Sequence, residues 1–380
     1  MLWLEPTLPR EDKQMKYAMK TAILGTVGVP ANYGGFETLA ENLVKYHDAA
    51  SLPDPVTVYC SSRSYPSREP SFLSAQLKYI PLNANGVQSI CYDIVSLISA
   101  AWNRNDVILL LGVSGAIALP LVRLFSSARI ITNIDGIEWR REKWQGLAKR
   151  FLRFSEKMAV RFSHEVIADN GVIAEYVKRV YGVDSHVIAY GGDHAVAIDA
   201  VAADEYDLPD RYSFSVCRIE PENNVHVILE AFSKVDGYPL VVVGNWNNSE
   251  YGRILRERFS ACKNLFLLDP IYNLGKLKTL RSNASFYVHG HSAGGTNPSL
   301  VEAMHFGKAV LTFDCDYNRS TTEGKALFFG DSEELERLIE SLDKTVAEKV
   351  GLDMLEIADR RYTWRIVAEQ YFTLLDNQSF

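Results

Sequence analysis

The chain has 380 residues, of which 47% are hydrophobic and 23% charged, an ordinary globular composition that excludes disordered and fibrous classes. Forty basic against 47 acidic residues leave a net charge of −7, which argues against a nucleic-acid binder with a wholly basic surface. Five scattered cysteines (Cys60, Cys91, Cys217, Cys262, Cys315), none at paired spacing, argue against a disulfide scaffold and a Cys/His zinc site and point to a reducing cytoplasm.

Residues 1–18 carry two prolines and mixed charge without the basic start and apolar run of a signal peptide, so they are expected to be a flexible extension. A first strand, Thr21–Leu24, runs into the glycine-rich GTVGVPANYGGFE (Gly25–Glu37), with a helix opening near Phe36. Strands follow at Val56–Tyr59, Val107–Leu111, Arg129–Thr132 and Glu165–Ala168. The stretch Val107–Phe125 is about long enough to cross a bilayer, but Gly112, Gly115, Pro120 and Arg123 break it, and a buried strand, a turn and a helix explain it better. An acidic, Ala-rich break at Ala195–Arg211 reads as a linker. Beyond it come strands Tyr212–Val216, Leu240–Val243, Leu265–Leu268, Phe286–Val288 and Ala309–Thr312, alternating with helical segments such as Val225–Phe232 and Pro298–Phe306. This rhythm predicts an α/β protein of two Rossmann-like domains, 19–195 and 212–360, joined by a linker at 196–211 and followed by a C-terminal helix in 361–380 that crosses back.

Three motifs carry chemistry. Gly34 and Gly35 stand directly before the first helix, where free N–H groups suit an anion, although a tight turn alone would also need them. The loop HGHSAGGTNPSLVEAM (His289–Met304) offers Gly294, Gly295, Thr296 and Asn297 as amide donors to a diphosphate. Glu302 on the helix behind it could reach a ribose; the plainer reading has Asn297 capping and Glu302 solvated. In CRIEPENN (Cys217–Asn224), Arg218 leaves the first strand of the second domain, where its guanidinium would fork onto a diphosphate or simply pair with Glu220 or Glu222. TNIDGIEWRREKW (Thr132–Trp144) adds Asp135, for an acceptor hydroxyl or an Asx turn, and Trp139, for stacking on a sugar. From Glu138 to Arg161 eight basic residues face three acidic ones among interleaved apolar side chains, the pattern of a packed helix with a cationic face or of one lying on an anionic membrane.

The order of GG-x-E, R-x-x-P-E, a Gly-rich loop and Glu302 in EAM resembles the retaining GT-B glycosyltransferases of family four. TAILGTVGVPANYGGFET, TNIDGIEWRREKW and GGTNPSLVEAM look more specifically like bacterial rhamnosyltransferases of cell-wall and capsular polysaccharide assembly. The resemblance implies a GT-B fold with an N-terminal acceptor domain, a C-terminal donor domain and no metal cofactor. It implies that Gly34, Gly35 and Arg218 face the donor phosphates and that Glu302 binds the ribose; Asn223, His291, Gly294, Gly295, Thr296 and Asn297 complete the expected donor contacts. Catalytic roles fall to Asp135, Arg218 and His289, and acceptor contacts to Glu37 and Trp139. Two positions depart from the family: Asn223 stands for the usual Lys, and Gly294 for the first Glu of an E-x7-E pair, so His289 or His291 would take over that sugar contact. The only near match to a metal-holding Asp-x-Asp is Asp314-Cys315-Asp316, beyond the donor loop. The expectation is a cytoplasmic transferase of sugar, rhamnose from dTDP-rhamnose, to a lipid-linked or oligosaccharide acceptor, with peripheral membrane contact through 138–162 and no nucleic-acid partner. A same-fold sugar-nucleotide epimerase and a non-catalytic sugar-nucleotide-binding subunit are the alternatives.

Overall fold

The computed structural model describes residues 18–31, 34–86, 88–140 and 145–376. The expected N-terminal extension, apart from Ala18, and the motif positions Asn32, Tyr33 and 141–144 lie outside the described residues.

Eight strands form the first sheet: β1 (Thr21–Leu24), β2 (Val56–Ser61), β3 (Ser71–Phe72), β4 (Ala75–Ile80), β5 (Val107–Leu111), β6 (Arg129–Asn133), β7 (Glu165–Ala168) and β8 (His186–Val187). They run in the order β3-β4-β2-β1-β5-β6-β7-β8, all parallel except the β3–β4 pair. Successive side chains alternate between two cores, as the strand period of two requires. Ile23, Leu109, Leu111 and Ile131 pack on the face covered by helix Gly35–Ala49. Ala22, Leu24, Ile108, Leu110 and Ile130 pack under helices Gln88–Trp102, Leu119–Phe125, Gly146–Phe162 and Gly171–Tyr181. The stretch from Val107 to Phe125 is the expected strand, turn and helix. No helix among the described residues is long and apolar enough to cross a membrane.

The second sheet holds β9 (Ser213–Val216), β10 (Leu240–Val243), β11 (Leu265–Leu268), β12 (Phe286–His289), β13 (Ala309–Phe313) and β14 (Leu327–Phe329). All are parallel, in the order β11-β10-β9-β12-β13-β14. In each sheet the strand order reverses beside the first strand, between β1 and β5 and between β9 and β12. Loops leaving those strand ends therefore diverge and open a crevice.

The segment between the lobes is tied to the second one: Lys278 Nζ donates to the Val196 and Ile198 carbonyls at 2.9 and 2.7 Å, and Thr279 Oγ1 to Val201 O at 2.7 Å. Helix Trp364–Asp376 returns to the first lobe, where Asn133 Nδ2 donates to the Tyr371 hydroxyl at 2.6 Å and Phe372 stacks on Tyr46. The crossing itself is stitched, with Gly192 N donating to Tyr362 O at 2.7 Å and Trp364 N to Asp193 Oδ1 at 2.8 Å.

Candidate active site between the lobes

The loops at the switch point of the second lobe are clipped to each other. Asn223 is buried; its Nδ2 donates to Arg218 O at 2.7 Å and its Oδ1 lies 2.7 Å from His291 Nδ1. An amide oxygen only accepts, so His291 carries a proton on Nδ1. Asn224 Nδ2 donates to Gly290 O, and Ser292 N to Glu222 O. The Asn223 side chain is thus a loop clip and carries no charge for a phosphate. Arg218 keeps the exposed cation of this edge: its side chain is 40% accessible and only loosely paired with Glu220, at 3.9 Å.

His289 ends β12 with 2% of its surface exposed, and its Nε2 has no hydrogen-bond partner; neither has Thr312 Oγ1, its neighbour in register on β13. Buried polar atoms left open at a crevice edge fit a ligand or water that completes them. Burial, and secondarily the neighbouring His291, hold the His289 ring well below the usual imidazole pKa. It is therefore neutral near pH 7, suited to a hydrogen bond and unsuited to carrying a proton.

Past it, Gly294 takes φ +90°, a region glycine enters freely and an L side chain resists, which gives a physical reason for Gly at this position. Thr296 is buried: its hydroxyl donates to Asp169 O at 2.6 Å and accepts from Asn170 Nδ2 at 3.2 Å, so it joins the lobes. Asn297 caps helix Pro298–Met304 by accepting from Ser299 N at 2.9 Å, the plainer of the two sequence readings. Their side chains are spent, and only backbone amides remain for a donor. Glu302 is not solvated; it forms an ion pair with buried Arg281 and lies 3.4 Å from His194 Nε2. Burial pushes its carboxyl up, but Arg281 and His194 outweigh that and keep it below the ordinary range.

On the first lobe, Gly34 and Gly35 open their helix, with Glu37 buried in its first turn. Asp135 sits at φ +57°, its amide donating to Asn133 Oδ1 at 2.8 Å, so the Asx turn belongs to Asn133. The Tyr190 hydroxyl donates to Asp135 Oδ1 at 3.2 Å. Trp139 is caged by cations, with Arg140, Lys149 and Arg153 lying 5.4, 5.7 and 5.2 Å from its ring. These cation–π contacts compete with a sugar for the faces of the ring.

The lobes meet at two glycines. A Cβ on Gly136 would lie 2.7 Å from Gly294 Cα, and one on Gly295 would land on the Asp169 carboxylate. The structure thus brings Asp135 beside the Gly294–Thr296 loop, and Arg218, Asn223 and His291 around one clip. Arg281, His194, Tyr190, Asp169 and Thr312 escaped the sequence reading. The Gly pair in YGGDH (Tyr190–His194) was a usable signal for two of them, while nothing local marked Arg281. Asp314 of the Asp-x-Asp-like triplet is held by Arg319 at 2.6 and 2.7 Å. Among the described residues no group of three or more His, Cys, Asp or Glu is arranged to hold a metal ion.

Residues 202–356 match the family described as glycosyl transferases group 1, and residues 18–193 a domain of unknown function, DUF1972. No curated protein matches the chain. Among solved structures, sucrose-phosphate synthase from Thermosynechococcus elongatus is similar with a TM-score of 0.78 at 16% identity, over 94% of this chain and 98% of its own. Anabaena HepE in complex with UDP-glucose gives 0.69 at 15%, over 94% and 99%. A glycosyltransferase from Rickettsia africae gives 0.72 at 12%, over 94% and 98%. Two parallel-sheet Rossmann-like lobes with these neighbours make the fold GT-B. The second lobe carries a group 1 glycosyltransferase domain.

Proposed function

We propose that the chain transfers a sugar, rhamnose from dTDP-rhamnose, to a sugar on a lipid-diphosphate acceptor in cell-wall or capsular polysaccharide assembly, with retention of configuration. The observation that carries the transfer reading is Arg218, an exposed guanidinium at the switch point of a group 1 glycosyltransferase domain, next to a loop whose side chains are spent but whose amides are not. The HepE structure contains UDP-glucose, which supports a nucleotide-sugar donor. The choice of rhamnose rests on the motifs TNIDGIEWRREKW and GGTNPSLVEAM.

In this reading Arg218 and the loop amides meet the diphosphate charge, with no metal required, and neutral His289 hydrogen-bonds the donor. The bond from the anomeric carbon to the diphosphate oxygen breaks as the acceptor oxygen bonds the same face. The acceptor proton passes to the departing diphosphate. Asp135, oriented by Tyr190, stands on the acceptor side.

The test is release of nucleoside diphosphate from a panel of sugar nucleotides, with and without a short lipid-diphosphate acceptor. Release from dTDP-rhamnose only with acceptor is expected, and Arg218→Ala should lower turnover roughly 100-fold or more. Undiminished turnover in Arg218→Ala would sink the assignment. Release without acceptor would replace it with hydrolysis or epimerisation, and binding without turnover with a partner subunit.

A further inference from the structure

Helix Gln88–Trp102 contains a single ionisable carboxylate, Asp93, and that residue is buried. After Gln88 its exposed positions are Cys91, Val95, Ile98 and Trp102, spaced at 4, 3 and 4 residues, so a largely apolar stripe faces solvent. A surface helix without an exposed charge is unusual, and Trp102 at its end is 86% exposed. Helix Leu119–Phe125 packs against this helix and also against Gly146–Phe162, all three on the same face of the first sheet. It ends in Leu124 and Phe125, 75% and 85% exposed, while Leu147 and Phe154 stand out from the third helix.

The charge on these helices has one sign at the surface. Arg123, Lys149, Arg150, Arg153, Lys157 and Arg161 are all exposed. Their two acids, Asp93 and Glu156, are both buried, and Glu156 accepts hydrogen bonds from the hydroxyls of Tyr176 and Tyr181 at 2.7 and 2.6 Å. In a chain of net charge −7, the exposed charged residues of these three helices are all cations.

We propose that the three-helix face of the first lobe, Gln88–Trp102 with Leu119–Phe125 and Gly146–Phe162, docks on an anionic lipid bilayer. Phe125, Leu124 and Trp102 enter the headgroup boundary, where an indole is at home. The Arg and Lys stems lie along apolar surface and their heads reach lipid phosphates. A second copy of the chain is the poorer occupant, since two such faces would set six cations against six. The docking extends beyond the basic segment that the sequence marked, because the apolar part comes mainly from the two preceding helices. It does not depend on the transfer reaction, so it can be tested without donor or acceptor.

The full chain is floated with phosphatidylcholine vesicles, with and without phosphatidylglycerol. Binding is expected only with the anionic lipid and should fall as salt is raised. Leu124→Ser with Phe125→Ser, and separately Arg150→Gln with Lys157→Gln and Arg161→Gln, should each weaken it at least about tenfold. These residues are exposed, so melting temperatures should match the parent. Trp102→Phe should keep binding but lose the blue shift in tryptophan emission that vesicles induce. Equal binding to neutral vesicles, binding to neither, or binding unchanged by the Leu124/Phe125 pair would overturn the proposal. So would a dimer, seen by light scattering, that the same pair dissociates, because that result gives the face to a second copy.

Discussion

Glu302 and Arg281 show how a site residue can be visible while its environment is not. The spacing from the glycine loop to the helix marks Glu302, whereas its partner comes from 21 positions earlier, at the end of helix Leu274–Asn283, with no pattern to announce it. Arg281 is 7% exposed, stacks over Phe306 and pairs with Glu302, whose other oxygen faces His194. His194 in turn accepts from the Trp364 indole at 2.9 Å, so the pair is wired to the crossing between the lobes. A buried carboxylate deprived of its main counter-charge costs far more than an exposed one. Arg281→Met should therefore lower unfolding free energy by about 3–5 kcal/mol. Adding Glu302→Gln should recover part of that loss, because the stranded charge is then gone. Urea unfolding of the two variants decides it: a single variant indistinguishable from the parent, or a double no better than the single, would show that the pair is not coupled.

At the scale of elements, the join between helix Gln88–Trp102 and the turn after β5 contains a titrating group. Asp93 accepts a short hydrogen bond from the Ser114 hydroxyl, and burial pushes its carboxyl from an ordinary 3.8 up to about 7, against the opposing pull of Ser114 and the Gly115 amide. Between those values the folded chain holds a proton that the unfolded chain releases, so this contribution to stability is lost as pH rises toward 7 and is absent above it. The loss between pH 5 and pH 8 is on the order of 3 kcal/mol. Asp93→Asn, which keeps the shape without the charge, should flatten that part of the stability profile and melt higher than the parent at pH 8. A parent and variant with parallel profiles would rule the linkage out. The same helix illustrates what a sequence conceals. Strands such as Val107–Leu111, buried on both faces, are legible as apolar runs, and so is the βαβ rhythm they set. β4 is not, because Gln76 and Lys78 interrupt it and its middle residues are only half-buried, and β8 and β14, at two and three residues, are too short to show a period. Asn223 and Thr296 were legible as site positions, but their partners lie across loops that only the fold brings together, so their structural duty could not be read locally.

For the whole molecule the decisive feature is how closely the lobes approach at two glycines, beside the side-chain links that Asn170 makes to Thr296 and Thr321. Gly136 of the first lobe faces Gly294, and Gly295 faces Asp169, with the Thr296 hydroxyl hydrogen-bonded to the Asp169 carbonyl between them. No side chain fits at either glycine, so each tests whether this closed contact is needed for function. Gly136→Ala adds one methyl from the first lobe and Gly295→Ala one from the second, and neither position has a positive φ that would confound the result with backbone strain. Gly136→Ala drives a methyl into the Gly294 backbone, whereas Gly295→Ala must displace the buried Asp169 carboxylate at the same seam. The expected result is a larger radius of gyration in small-angle scattering and lower acceptor-dependent turnover, most strongly for Gly136→Ala. Both act on one interface, so the double variant should be little worse than the single ones, whereas two independent local defects would add. Separation without loss of turnover would mean that the reaction proceeds in an open form. Unchanged scattering in both variants would mean that the glycines relieve local crowding and do not set the distance between the lobes.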